Sequence, residues 1–150
     1  MGLLTAIQGK RIYLDTNIWI YALEGFPASA QDLTALFQAI DLGTLTAVTS
    51  ELSFAEVLVK PMQNKNATQQ AIYKQAISST QNLSIIPVGR EILIAAAELR
   101  AITNLKLPDA IHAATALSSQ CSTFLTNDRR FQAISSLSLQ VIVLSQIIHF

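Results

Sequence analysis

The chain is poor in cysteine and glycine, and its charges balance. Cys121 is the only cysteine, so no intrachain disulfide can form, and the sequence suits a reducing compartment, the cytoplasm. No histidine and orienting group accompany Cys121 as a thiol nucleophile requires, so it reads as a small core hydrophobe. The five glycines are scattered, and no glycine-rich loop is present to cradle a nucleotide phosphate. Ten basic residues cancel ten acidic ones, which excludes broad electrostatic adhesion to nucleic acid. Any nucleic-acid function must therefore rest on a local site. No uninterrupted apolar run is long enough to span a bilayer, and no membrane role is expected. The N-terminal positive charge follows the apolar stretch instead of preceding it, unlike a secretory signal. Ala6 stands where a myristoylation signal wants Ser or Thr. No repeat, low-complexity tract or linker divides residues 1–150, so a single domain is expected.

What is present is apolar and alternating. Hydrophobic residues make up 51% and mean hydropathy is +0.39, enough for a filled core with apolar surface left for a partner. Short β-type runs fall at Arg11–Leu14, Leu45–Thr49, Ser84–Val88, Thr123–Thr126 and Leu139–Leu144. Helical patterns fill the intervals. Ile18, Tyr21 and Ala22 share one face, and Ala30–Leu42 ends at Gly43. Glu51–Val59 is expected to stop before Pro61, and Asn66–Ser79 reads as a polar peripheral arm. In Arg90–Ile102 the spacing picks out Leu93, Ala96, Ala97 and Arg100. Pro108–Leu117 starts on a proline suited to a first turn, and a short helix follows Asp128. The alternation predicts an α/β fold with a parallel sheet and helices on both faces. Pro87 places the third strand at an edge.

Six of the ten acids fall on solvated helix faces or near helix starts, where negative charge is favoured. Four are placed differently. Asp15 and Asp128 each follow a strand at its carboxyl end. Each alone reads equally well as a helix cap. In a doubly wound sheet of order 3-2-1-4-5 the first and fourth strands are neighbours, and ligands bind beyond their carboxyl ends where the order reverses. Asp109 lies in the first turn of an alanine-rich helix, itself an ordinary place for an acid. Glu56 shares a face with Leu52, Ala55 and Val59, and a carboxylate facing a core is costly unless paired or metal-bound. Converging carboxylates repel, and an oxygen-only set of this kind suits Mg²⁺ or Mn²⁺, which can support phosphodiester cleavage.

Four stretches carry a resemblance. Leu14-Asp15-Thr16-Asn17, the acid of Ser53-Phe54-Ala55-Glu56, Leu107-Pro108-Asp109 with Ala110–Ala114, and Leu125–Phe131 around Thr126-Asn127-Asp128 resemble, in order, the PIN domain and most closely its VapC-type toxins. The resemblance implies a Rossmann-like fold with a five-stranded parallel sheet and a Mg²⁺- or Mn²⁺-dependent endoribonuclease. It implies that Asp15, Glu56, Asp109 and Asp128 bind metal and catalyse. It also implies accessory polar roles for Asn17 and Thr126, a cognate antitoxin partner and a homodimer. Arg129 and Arg130 read either as solvated surface or as phosphate contacts at the rim. His112, one turn beyond Asp109, reads as a packed or surface histidine or as a support for a ligand. Trp19 and Tyr21 read as core or interface residues. The alternatives are a housekeeping RNA-processing nuclease of the same fold and an inert PIN-like interaction module. A receiver or phosphatase is disfavoured because the first strand is followed by one Asp only.

Overall fold

The computed structural model describes residues 2–148. Met1, His149 and Phe150 lie outside it. In chain order the elements are α1 (Leu3–Ala6), β1 (Arg11–Leu14), α2 (Thr16–Leu23), α3 (Ala30–Asp41), β2 (Thr46–Ser50), α4 (Glu51–Gln63) and α5 (Ala67–Ala76). They continue as β3 (Leu83–Ile86), α6 (Arg90–Thr103), α7 (Leu107–Ser118), β4 (Thr123–Thr126), a 3₁₀ helix at Arg129–Ile134, β5 (Gln140–Val143) and a last 3₁₀ turn at Leu144–Gln146. The five strands are parallel in the order β3-β2-β1-β4-β5. Parallel neighbours need crossovers, and the helices supply them.

Strand alternation divides the core into two layers. Ile12 and Leu14 of β1 face a cluster with Ile18, Trp19, Leu33, Leu36 and Leu125. Tyr13, between them, faces the opposite cluster of Val48, Ala96, Leu99, Phe124, Phe131 and the α7 alanines. The alanines of α7 (Ala110, Ala113, Ala114 and Ala116) are all buried, so this helix lies close on the sheet. No helix among the described residues is long and apolar enough to cross a membrane.

Several expectations are corrected. α4 continues through Pro61 to Gln63: the ring removes one backbone donor, but the residue is buried. β3 ends before Pro87 but does lie at the sheet edge. On α6 the buried residues are Ala96 and Leu99, whereas Leu93 and Ile94 are 44% and 53% exposed. α6 meets the core through Ala96 and Leu99, with Ile92 and Ala95 partly buried, so Leu93, Ala97 and Arg100 fall on its outer face. α5 is mostly exposed, yet it drives Tyr73 into the first core layer and bonds that hydroxyl to Glu24. α1 was not visible in the sequence pattern. Its buried Leu3 and a hydrogen bond from the Leu3 amide to the Asp32 carboxylate fix it to α3.

Candidate active site

β1 and β4 pair side by side, with Leu14 opposite Leu125, so Asp15 and Asp128 emerge at the same end of adjacent strands. Here the sheet order reverses direction along the chain. Both acids also serve as caps. Asp15 accepts from the Thr16 amide at the start of α2, and Asp128 accepts from the Arg130 amide at the start of the 3₁₀ helix. α4 brings Glu56 and the first turn of α7 brings Asp109.

Asp15 is buried and firmly held. Its Oδ2 accepts from the Thr126 hydroxyl at 2.6 Å and from Asn17 Nδ2 at 3.4 Å, and its Oδ1 accepts from the Thr16 amide at 2.8 Å. Thr126 is fully buried and in turn accepts from the Asp128 amide, which joins the two strand-end acids through one hydroxyl. Asn17 Oδ1 accepts from the Asn127 amide and ties the two loops together. Burial pushes the Asp15 carboxyl above its ordinary value, against the lowering effects of His112, Thr126 and Thr16.

Glu56 arrives differently from the sequence expectation. Its neighbours Ala55 and Val59 are exposed, and the inward side of α4 is Ser53, Val57 and Leu58. Glu56 sits at the border, with its side chain 37% exposed. Its Oε1 receives both His112 Nε2 and the Thr16 hydroxyl at 2.7 Å. Burial alone would raise its pKa, but these hydrogen bonds outweigh it and hold the carboxylate below its ordinary value.

His112 is the residue whose importance sequence reasoning understated. It is buried, and Nδ1 lies 2.6 Å from the Tyr13 hydroxyl on β1. The opposite nitrogen meets Glu56 and stands 3.9 Å from Asp15 Oδ1. In the neutral ring, Tyr13 donates to Nδ1, so Nε2 carries the proton toward Glu56. Burial lowers the imidazole pKa, yet the Glu56 hydrogen bond and the charge of Asp15 more than offset that and leave it raised. The available signal was the three-residue step from Asp109 to His112, which places both on one helix face.

The other two acids meet at Arg130. Its Nη2 lies 2.6 Å from Asp128 Oδ2 and 3.6 Å from Asp109 Oδ2. Burial raises Asp109, with Asp128 adding to it and Arg130 opposing. Asp128 is lowered, chiefly by its hydrogen bond from Arg130. Arg129 is exposed beside it. The four acids thus form two linked halves, one centred on His112 and one on Arg130.

Among the described residues no three acids or histidines stand together as a ready metal cage. The donor set still fits Mg²⁺, which takes one or two carboxylates and keeps several waters. Remote from this end, an apolar cavity of about 510 Å³ lies between α2, α3 and α5, lined in part by Trp19, Leu33, Phe37 and Ala76. Trp19 is buried and bonds Thr49, and Tyr21 accepts from Asn127. Cys121 is buried, and burial pushes its thiol up to about 12, which fits an inert core residue.

The PIN domain model matches residues 12–137. The chain belongs to the PIN domain family. No curated protein matches the PIN chain in sequence. Among solved structures it is similar to VapBC2 from Rickettsia felis bound to a promoter DNA fragment, at TM-score 0.67 and 22% identity, covering 88% of this chain and 97% of that one. It is similar to VapC20 of Mycobacterium tuberculosis, described as a sarcin–ricin loop cleaving toxin, at TM-score 0.67 and 15% identity, with 86% and 98% covered. It is also similar to DNA-bound VapBC from Salmonella typhimurium, at TM-score 0.62 and 16% identity, with 89% and 98% covered. At these identities the likeness is one of fold.

The His112–Glu56 pair gives this PIN site a pH signature. Glu56, lowered, adds stability above its ordinary value of 4.5 that is lost as pH falls through its folded pKa. His112, raised, adds stability below its ordinary 6.5 that is lost as pH rises through its folded pKa. The pair's contribution is therefore fullest between 4.5 and 6.5. Urea denaturation of wild type and His112→Leu without metal should differ most inside this window. A difference that is flat across pH would contradict the assignment.

Proposed function

We propose that this PIN protein is a divalent-metal-dependent endoribonuclease and the toxin of a type II toxin–antitoxin pair. The observation that carries the nuclease reading is the meeting of Asp15, Glu56, Asp109 and Asp128 at the carboxyl ends of β1 and β4, with His112 and Arg130 between them. In this reading Asp15 and Asp109 would hold Mg²⁺ or Mn²⁺ directly, with Glu56 and Asp128 completing metal or water placement. The bound ion would supply Lewis-acid polarisation of the phosphoryl oxygen and a lowered pKa for water.

The chain's own residues prepare the site for that chemistry. Thr126, Thr16 and Asn17 hold Asp15 with both oxygens engaged, so its position is fixed before any ligand arrives. His112 and Thr16 occupy Glu56 Oε1 and leave Oε2 to orient a water toward phosphorus. Its lowered pKa keeps Glu56 ionised for that task. In hydrolysis the water oxygen bonds to phosphorus, its proton leaves to a nearby base, and the bridging P–O bond breaks with protonation of the departing oxygen. In this reading Arg129, exposed beside the acids, meets RNA phosphates, and Arg130 does so when it is released from Asp128. Asn17 and Thr126 act in this reading by fixing Asp15.

The toxin assignment is supported by the neighbours, which include toxin–antitoxin complexes. An antitoxin and a second copy of this chain are the proposed partners. Exposed Val59, Met62, Leu93, Ile94 and Ile102 offer apolar surface for protein contacts. The proposed location is the cytoplasm, where the RNA lies.

The test is incubation of the purified protein with a broad RNA panel, with Mg²⁺ or Mn²⁺ and with EDTA. Cleavage is expected with metal and none with EDTA. Failure to cut any RNA with metal present, or cutting that persists in EDTA, would overturn the nuclease reading. A toxin rather than a housekeeping nuclease is expected to arrest growth on induction and to be silenced by a small protein encoded beside it.

A further inference from the structure

Arg130 does not extend away from the acids as a rim residue would. Its side chain is 56% exposed, yet the guanidinium folds back on Asp128. Nε lies 3.0 Å from both carboxylate oxygens and Nη2 lies 2.6 Å from Oδ2. The same Nη2 is 3.6 Å from Asp109 Oδ2. One cationic nitrogen thus stands between carboxylates supplied by two separate elements, the loop after β4 and the first turn of α7. The Arg130 amide also donates to Asp128 Oδ1, so backbone and side chain of one residue hold the same carboxylate. The fork geometry of a guanidinium permits this; an ammonium has no equivalent.

We propose that Arg130 is a resident counter-ion of the Asp109–Asp128 half of the site, displaced when a divalent cation takes those carboxylates and thereby freed to bind substrate phosphate. This rests on the metal-dependent reading above. Two like charges held this near need a cation when no metal is present, and Arg130 provides one by tether. An exposed ion pair is weak and its side chain leaves directly into water, so the exchange meets little resistance. His112, in the other half, is buried and bonded at both nitrogens, and it cannot leave in this way. The arrangement couples two events: the guanidinium is withheld from phosphate until the acids are loaded. It also predicts competition, because Arg130 and the cation use the same oxygens.

The experiment is a Mg²⁺ titration of the full chain by calorimetry, together with NMR of the Arg130 side-chain Nε–H. Wild type, Arg130→Gln and Arg129→Gln are compared. Arg130→Gln is expected to bind Mg²⁺ about three- to tenfold more tightly, since the competent state no longer competes with the ion pair. Arg129→Gln removes the same charge next door and should stay within about twofold of wild type. In wild type the Arg130 Nε–H resonance should move in step with Mg²⁺ saturation. Equal affinity of wild type and Arg130→Gln, an equal gain in Arg129→Gln, or a resonance indifferent to saturation would each overturn the exchange and leave the metal site standing. No Mg²⁺ binding by any of the three proteins would overturn the metal reading itself, and the exchange with it.

Discussion

Asp15→Asn is expected to reduce RNA cleavage by about a hundredfold or more while leaving the metal-free protein more stable than wild type. The two effects share one cause. Asp15 is buried, and its carboxyl is pushed above the ordinary value of 3.8 chiefly by that burial. A buried carboxylate that stays ionised at neutral pH costs folding free energy, and in the proposed nuclease metal binding is what that cost supports. Asparagine keeps an acceptor for the Thr16 amide and presents an amide to the Thr126 hydroxyl, which can turn to accept; only the long bond from Asn17 is lost. Relief of the charge should contribute about 0.5–2 kcal/mol, read as a rise of a few degrees in Tm for a chain of this size.

The pH dependence follows from the sign of the shift. A raised carboxyl favours the fold below its unfolded pKa, and that advantage is lost as pH rises through the folded pKa. The stability gain of Asp15→Asn should therefore be absent below about pH 3.8 and grow toward neutrality. Thermal melts in EDTA from acid to neutral pH measure it. A variant that melts below wild type at pH 7 would show that Asp15 is structural, and one that cleaves RNA normally would remove it from the site.

Phe124→Ala should cost about 3–5 kcal/mol, a large part of the stability of a domain this size. Phe124 is fully buried on β4, stacked on Tyr13 at 4.9 Å and tilted against Phe131 at 4.6 Å. Truncation removes the ring contacts and leaves a cavity between β1, β4 and the 3₁₀ helix. The loss reaches the site because Tyr13 holds His112 and His112 holds Glu56. Activity should fall even where the variant remains folded, whereas Phe124→Leu should cost far less. Denaturant midpoints and cleavage rates of both variants check this. An alanine variant as stable as wild type would contradict the stacked core described here.

Much of this was legible in the sequence. Strand–helix alternation predicted the parallel sheet, and the position of Asp15 and Asp128 after two β-runs placed them together once the order was 3-2-1-4-5. Glu56 came into view through an argument that the structure revises. The apolar series Leu52, Ala55 and Val59 looked like a core face, but the buried side of α4 carries Ser53, whose hydroxyl is accommodated by Thr49 and Thr16. A serine that finds partners inside gives no hydrophobic signal. His112 was hidden for a similar reason: its partner is the Tyr13 hydroxyl on another element, and β-alternation shows which side Tyr13 faces but not what its hydroxyl meets. Likewise no local pattern shows that Arg130 folds onto two acids.

The central claim is that Asp15, Glu56, Asp109 and Asp128 act as one metal-dependent ribonuclease site. It is tested most directly by mapping the cleaved ends in total cellular RNA treated with the wild type and with Asp15→Asn, Glu56→Gln, Asp109→Asn and Asp128→Asn, each with Mg²⁺ and with EDTA. The account predicts defined cleavage sites for wild type with metal, and all of them lost or greatly weakened in each of the four folded variants and in EDTA. A folded variant that cuts at the same sites with wild-type efficiency would contradict it.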